Sequence, residues 1–217
     1  MQNTEKIILW GVKASPYVRK VMVALAEKNL EYEHQQVLPK SLLILKNEVV
    51  PEAFDRLSPL GKIPLLQIGD WGIADSAVIT AFLDREFSSG KKLYPDNSKE
   101  YAKALWFERY ADTTLTDVTY KKIFFQRVIK PTLLNQPTDQ AIIETAVSVD
   151  LPPMLTYLDQ ALAKNEWLAD QRFSMADAAI VVQLLALKTA GISIDVWKNL
   201  AKYVERVTQQ PSFLGVI

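Results

Sequence analysis

Three short stretches of the sequence have the residue types and positions to bind an anion or a peptide. Ser15 follows a short apolar run, Pro64 opens another, and Asp75 with Ser76 comes directly before a segment of helical spacing. The Ser15 hydroxyl could donate a hydrogen bond to an anion above the carboxyl ends of the strands, where open α/β sheets bind ligands. A helix that begins at Ser76 presents unpaired N–H groups and a positive dipole end, which favour a carboxylate.

Pro64 stands at the point where a strand should begin. Proline has no N–H to donate to a β-ladder, so it belongs at the first residue of a strand or on an edge. If the Ile63–Pro64 bond is cis, the backbone of Ile63 can pair with an extended, peptide-like ligand as an added strand would. The local alternatives are simpler: a trans proline at Pro64, and capping or turn roles for Ser15 and for the pair Asp75 and Ser76.

The composition excludes several classes of function. Lys and Arg number 25, as do Asp and Glu, and the resulting net charge of zero gives no field to attract nucleic acid or an anionic membrane. The sequence has no cysteine, which excludes disulfides, thiolate metal sites and a protein thiol as nucleophile. Its single histidine, His34, excludes a multi-histidine metal site, and the polar residues around it predict a solvent-exposed side chain. We expect no metal.

Targeting and membrane signals are also missing from the sequence pattern. The first residues have no apolar core of signal-peptide length, and no apolar run reaches the ~18 residues of a membrane span. We therefore expect a cytoplasmic protein with no membrane partner.

Apolar periodicity predicts a mixed α/β domain over residues 1–87. A short buried strand at residues 7–12 precedes a helix over 17–29, and a Gly69-Asp70 turn joins two very short later strands. The full expected order is β-α-β-α-β-β-α, with strands near 7–12, 31–38, 65–68 and 72–74 and a last helix over 76–87. We expect a four-stranded mixed sheet in which the first two strands are parallel and the last two antiparallel.

The character of the sequence changes after residue 87. Residues 88–98 are polar, contain Gly and Pro, and suit a linker. From residue 99 to 217 the pattern is helical throughout, with segments near 99–127, 138–163, 175–190 and 195–209. The sequence Ser174-Met-Ala-Asp177 is typical of a capping box that opens a buried helix, and we assign it to folding.

Five segments, in order along the chain, resemble the cytosolic-type glutathione transferases, and in particular the serine-type, bacterial-like members. They are Ala14-Ser-Pro-Tyr-Val-Arg-Lys-Val21, Ser58-Pro-Leu-Gly-Lys-Ile-Pro-Leu-Leu66, Ala74-Asp-Ser-Ala-Val-Ile79, Leu93-Tyr-Pro95 and Phe173-Ser-Met-Ala-Asp-Ala-Ala179. The resemblance covers nearly the whole chain. It implies a thioredoxin-like, glutathione-binding N-terminal domain, followed by an all-helical domain that contributes a hydrophobic substrate site.

The resemblance implies a role for each polar feature. Ser15 matches the serine that donates a hydrogen bond to the glutathione sulfur, which favours thiolate over a thiol of pKa ~8.5. Ile63, before a cis Pro64, matches the residue whose backbone pairs with the cysteinyl part of glutathione. Asp75 and Ser76 match the pair that holds the γ-glutamyl end, where the family more often has glutamate than aspartate. Lys62 matches a contact to the glycine carboxylate.

A second, hydrophobic substrate would lie near Tyr17 and the first long helices. The candidates for its pocket are Tyr17, Trp106, Tyr110, Tyr120 and Phe124, with Phe107 and Phe125 as further aromatic positions. Aromatic residues at helical spacing are more often core, so we expect two or three of the six helical-domain aromatics to face the site.

The function that the resemblance implies is conjugation of glutathione to hydrophobic electrophiles, a detoxification chemistry, by a homodimer. Without cysteine, the thiol-transferase branch of the same fold is disfavoured. The alternative is a non-catalytic member of the fold, a regulatory or protein-interaction module of the stringent-starvation type. Aspartate at position 75 fits that alternative, whereas Ser15, Lys62 to Pro64 and Ser76 favour the enzyme.

Overall fold

A computed structural model describes residues 5–169 and 171–217, and these form two compact units. The first unit runs to Leu93 and includes Val216, and the second comprises Tyr94–Gly215 with Ile217. All the strands among the described residues lie in the first unit, and the second unit is helical. No helix in the described part of the chain is long and apolar enough to span a bilayer.

The first unit has the predicted order of strands and helices. Its elements are β1 (Ile7–Trp10), α1 (Pro16–Glu27), β2 (Glu33–Gln35), α2 (Lys40–Leu45), α3 (Glu52–Leu57), β3 (Leu65–Ile68), β4 (Trp71–Ala74) and α4 (Ser76–Glu86). The one refinement is that the less regular segment before Leu57 is two short helices, because Pro51 ends one extended stretch and precedes the first turn of α3.

The four strands form one mixed sheet, which confirms the expected fold class. Their order is β2-β1-β3-β4, with β1 parallel to β2 and antiparallel to β3, and with β3 antiparallel to β4. In this register Trp10 lies opposite Leu65, and Leu65 lies opposite Ala74. The residues that follow Trp10, precede Leu65 and follow Ala74 therefore all lie at one end of the sheet.

Apolar side chains hold the helices of the first unit to the sheet. In α1, Val18, Val21 and Leu25 are fully buried, as the helical spacing predicted, and α1 packs against α4. A second cluster comprises Val37, Leu43, Phe54 and Leu65, with Trp10 and Ile63 partly buried against it. Burial on both sides of the sheet fixes the positions of the loops at its end.

The second unit is helical along most of its length, as predicted. Its α-helices are α5 (Ser98–Tyr110), α6 (Thr116–Val118), α7 (Lys130–Leu133), α8 (Gln140–Thr145), α9 (Leu151–Leu162), α10 (Met175–Thr189) and α11 (Lys198–Thr208). Wider π-helical turns at Ala111–Leu115, Thr119–Ile129 and Ala146–Asp150 link several of them, and a short 3₁₀ turn lies at Pro211–Phe213.

The buried carboxylate of Asp177 is the main polar connection in the second unit. It accepts hydrogen bonds from the Leu168 N–H at 3.0 Å, from the Ser174 N–H at 2.8 Å and hydroxyl at 3.1 Å, and from the Tyr203 hydroxyl at 2.7 Å. The bond from the Ser174 N–H is the one expected of a capping box. Burial raises the pKa of Asp177, although the donors oppose it. One side chain thus joins the start of α10 to α11 and to the preceding loop.

Replacing Asp177 by alanine should lower the free energy of unfolding by roughly 3–5 kcal/mol, because four buried donors lose their acceptor. Asp70→Ala is the matched control, since the Asp70 side chain is fully exposed and its nearest cation is 4.0 Å away; it should change stability by about 0.5 kcal/mol or less. Urea unfolding followed by circular dichroism measures both. Equal effects in the two variants would contradict the structural role of Asp177.

Candidate functional site

The polar features predicted from the sequence converge at one end of the sheet. Trp10, Leu65 and Ala74 are neighbours across three strands, and the residues next to them along the chain are Gly11, Pro64 and Asp75. Strand pairing therefore brings together three segments that are well separated in sequence.

Gly11 allows the first two of these segments to touch. Its φ is +144°, and a Cβ at this position would lie 2.5 Å from Val18 Cγ2 and 3.2 Å from Ile63 Cβ. Only glycine combines this backbone conformation with so close an approach. Gly11, at the start of the loop that leads to Ser15, thus lies directly against Ile63.

Ser15 occupies the position before the first turn of α1, yet its side chain does not cap the helix. Its backbone N–H donates to the Val12 carbonyl, and its carbonyl accepts from the Arg19 N–H, both at 3.0 Å. Its side chain makes no capping hydrogen bond, and its hydroxyl has no partner among the described residues. The residue is 4% exposed. The local alternative of a cap at Ser15 is therefore wrong. The hydroxyl remains able to form a hydrogen bond with a ligand.

His34 helps to hold the loop that carries Ser15, which corrects the expectation of a solvent-exposed histidine. The ring is partly buried, and its Nε2 lies 2.7 Å from the carbonyl oxygen of Gly11. Because that oxygen can only accept, Nε2 carries the proton in this contact. The polar sequence around His34 gave no sign of the contact, since it arises from the parallel pairing of Leu9 with His34.

The Ile63–Pro64 peptide bond is cis, so the simpler trans alternative is wrong. The Lys62 carbonyl accepts from the buried Ser58 hydroxyl at 3.0 Å. Neither the N–H nor the carbonyl of Ile63 makes a hydrogen bond with another residue in the described ranges. The Lys62 side chain is exposed and has no ion-pair partner there. This segment offers a backbone donor, a backbone acceptor and a cation.

Asp75 and Ser76 divide two roles at the start of α4. Asp75 has φ of 78° and ψ of 121°, and its Oδ1 accepts from the N–H groups of Ala77 at 3.0 Å and Val78 at 3.2 Å. It is thus the helix cap that the simpler interpretation predicted. Ser76 is 4% exposed, and neither its N–H nor its hydroxyl has a partner among the described residues. These two donors remain for an anion at the helix N-terminus.

Lys40 is a residue of this region that sequence reasoning missed. Its N–H donates to the Gly61 carbonyl at 2.8 Å, which places the start of α2 beside Lys62. Its ammonium pairs with Asp55. The available signal was the position of Lys40 directly after Pro39, at the first turn of a helix, but nothing local links it to residue 61.

The aromatic residues predicted to line a second pocket fall into separate groups. In the second unit, the Trp106 indole N–H donates to the Tyr157 hydroxyl at 2.9 Å, and the Tyr110 ring lies 5.5 Å from that of Tyr157. Burial, with the nearby Tyr157, raises the pKa of Tyr110 to about 12. Tyr120 and Phe124 stack on each other at 5.2 Å along the second π-helical stretch. Sequence analysis overlooked Tyr157, because a single tyrosine on α9 carries no motif.

The remaining candidate for that pocket, Tyr17, is in the first unit. It lies in the first turn of α1, directly after Pro16, and is partly buried. In the described ranges, no group of three His, Asp or Glu side chains is placed to hold a metal ion.

Comparison with known proteins gives a consistent result over most of the chain. Residues 9–92 match the family described as glutathione S-transferase, N-terminal domain, and residues 123–211 match glutathione S-transferase, C-terminal domain. The chain is 28% identical to glutathione S-transferase F6 of Arabidopsis thaliana, over 97% of this chain and 99% of the relative. It is 27% identical to glutathione S-transferase GstB of Escherichia coli, over 97% of each chain.

Solved structures agree in fold. The structure of glutathione S-transferase III in its apo form superposes with a TM-score of 0.81 at 26% identity, covering 97% of this chain and 95% of that one. Glutathione transferase F7 from Populus trichocarpa superposes with a TM-score of 0.83 at 24% identity, covering 97% of both chains.

Proposed function

The chain belongs to the glutathione S-transferase family and is a glutathione transferase; from this premise we propose that it joins the glutathione thiolate to hydrophobic electrophiles, with Ser15 stabilising the thiolate. The observation that carries the proposal is the Ser15 hydroxyl, which stands at the start of α1 without a hydrogen-bond partner among the described residues. A hydroxyl that makes no hydrogen bond within the described part of the protein is available to bind a ligand.

Ser15 would act on the sulfur of bound glutathione. A free thiol of this kind has a pKa of ~8.5, and a hydroxyl that donates to the sulfur stabilises the thiolate more than the thiol. The positive end of the α1 dipole adds to the same effect. The thiol proton leaves to solvent, and a sulfur electron pair forms the new carbon–sulfur bond. With an aryl halide, the halide departs with the electrons of the broken bond.

The tripeptide would lie across the three segments at the end of the sheet. The N–H and carbonyl of Ile63 pair with the cysteinyl backbone, as in the addition of a strand. The N–H and hydroxyl of Ser76 bind the γ-glutamyl carboxylate at the start of α4. The Asp75 carboxylate meets the γ-glutamyl ammonium through Oδ2, because Oδ1 is occupied by the cap. Lys62 binds the glycine carboxylate, with Lys40 as a second cation nearby.

An apolar second substrate suits the aromatic residues of the proposed pocket. Tyr17 on α1 is its candidate in the first unit, and the candidates in the helical unit are Trp106, Tyr110, Tyr120 and Phe124. Aromatic rings supply large apolar area with few rotatable bonds, which suits planar electrophiles. A non-catalytic role is not favoured, since it leaves the unpaired Ser15 hydroxyl without an explanation.

We also propose that the protein is a homodimer that uses a partly exposed apolar patch on the first unit. The patch comprises Trp71, Val78 and Phe82: the Trp71 and Phe82 rings are 4.8 Å apart, and Val78 lies one turn before Phe82 on α4. Trp71 is 46% and Val78 48% exposed. Trp71 is on β4, the open edge of the sheet, and proteins generally cover such edges. A second copy of the chain is the partner that family membership suggests.

The test of the proposed function is Ser15→Ala. We expect conjugation of glutathione to an aryl halide to fall about 10- to 100-fold, since a hydrogen bond to a charged group is lost. Calorimetric titration should show glutathione affinity within about threefold of wild type, because the tripeptide contacts remain. Ser41→Ala, at an exposed serine of α2, is the matched control and should leave both quantities unchanged. If wild-type protein bound no glutathione at millimolar concentration, the proposed conjugation of glutathione would be refuted.

Asp75→Asn separates the capping role of Asp75 from its binding role. Asparagine caps as well as aspartate, so the free energy of unfolding should change by about 0.5 kcal/mol or less, whereas Asp75→Ala should cost ~1 kcal/mol. Loss of the negative charge opposite the ligand ammonium should weaken glutathione binding about three- to tenfold in both variants. Urea unfolding and calorimetry measure the two effects. If the Asp75→Asn variant bound glutathione with wild-type affinity, Asp75 would only cap the helix and would have no role in binding.

Trp71→Glu should convert the dimer to a monomer, because the carboxylate would be buried without a partner at the interface. Sedimentation velocity at micromolar concentration measures the change, and circular dichroism checks that the variant is folded. Val49→Glu is the control, since Val49 is 88% exposed and lies outside the patch. If Trp71→Glu sediments like wild type, this patch is not the dimer surface.

A further inference from the structure

We infer that Arg19 assists thiolate formation, by placing an unpaired positive charge against the loop that carries Ser15. The inference rests on the proposed function, in which the sulfur of glutathione binds at Ser15. It assigns to Arg19 an electrostatic role at the same site, without direct contact to the sulfur.

The side chain of Arg19 lies along the Ser15 loop. Arg19 is one turn into α1, and its backbone N–H donates to the Ser15 carbonyl. Its Nε donates to the carbonyl oxygen of Lys13 at 2.8 Å, only two residues before Ser15. The Nε end of the guanidinium is therefore bound to the loop. The charge of Arg19 is thus held on the loop that carries Ser15.

The Arg19 guanidinium has no acidic partner among residues 5–169 and 171–217, although it is half-buried. Burial lowers the pKa of Arg19, since nothing nearby compensates the loss of solvation. Buried cations are ordinarily paired with an acid. Lys28, just after the C-terminal end of α1, is an example: its buried ammonium lies 3.4 Å from the Asp84 carboxylate. An unpaired cation in a half-buried position is the arrangement that a bound anion completes.

Lys13, Lys62, His34 and Asp75 do not supply this charge. Lys13 and Lys62 are exposed, so salt and water screen them. His34 holds its Nε2 against the Gly11 carbonyl, and Asp75 carries the opposite sign. Arg19 is the cation of this set that is both half-buried and fixed to the loop. A positive charge in such a place favours thiolate over thiol and lowers the sulfur pKa.

Two variants separate the charge of Arg19 from its hydrogen bond. Arg19→Gln keeps an N–H donor for the Lys13 carbonyl and removes the charge, whereas Arg19→Lys keeps the charge and alters the donor. Arg85→Gln, at an exposed arginine of α4, is the matched control. The measurements are the thiol pKa of bound glutathione, from thiolate absorbance against pH, and the pH profile of kcat/KM for an aryl halide at saturating glutathione. Circular dichroism checks that each variant is folded.

Arg19→Gln should raise the bound thiol pKa by about one unit, which means about tenfold less thiolate below that pKa. The rate should then fall about tenfold at acid pH and recover to the wild-type rate at alkaline pH. Arg19→Lys and Arg85→Gln should keep the wild-type pKa. An unchanged pKa in Arg19→Gln, an equal loss at every pH, or a raised pKa in Arg19→Lys would overturn the inference. Wild-type protein that binds no glutathione would refute the proposed function, and the inference with it.

Discussion

The register of the sheet is the constraint on which the site depends. Because Trp10, Leu65 and Ala74 pair across three strands, the segments that follow or precede them must meet at one end of the sheet. Gly11 then permits the Ser15 loop to contact Ile63, and the turn from Ala74 into α4 sets Ser76 at the same end. A one-residue shift in either pairing would turn these side chains to the other face. The core clusters that fix the register therefore also fix the geometry of binding.

The unsatisfied polar groups of the first unit are concentrated where this register brings the segments together. The Ser15 hydroxyl, the Ile63 backbone and the Ser76 donors have no partners among the described residues. Elsewhere in the unit comparable groups are paired, as Ser58 is with the Lys62 carbonyl and Lys28 with Asp84. Polar groups that lie close together and make no hydrogen bond within the protein are available to an extended, charged ligand.

Sequence reasoning predicted features that depend on local pattern and missed those that depend on distant pairing. The order of strands and helices followed from apolar periodicity, and the role of Asp177 followed from the spacing of a capping box. His34 was misjudged because its contact with Gly11 comes from parallel pairing across the sheet. Ser15 was locally a cap, and only the structure reveals that its side chain makes no capping bond. Tyr157 and Lys40 carried no motif, since their contacts are made with remote residues.

Local charge at the site is positive, although the net charge of the chain is zero. Lys13 and Lys62 lie in loops near this end of the sheet, Arg19 lies in α1 and Lys40 begins α2. The nearby carboxylates are Asp55 in α3 and Asp75 before α4. Of these acids, Asp55 pairs with Lys40, and Asp75 has one oxygen committed to its own helix. The remaining local charge is positive and suits glutathione, whose two carboxylates and thiolate outweigh its single ammonium. A shorter side chain at position 75 fits this balance: aspartate caps α4 through Oδ1, and in the proposed site Oδ2 would meet that ammonium. Glutamate is longer and a poorer cap, so the aspartate is consistent with binding combined with helix capping.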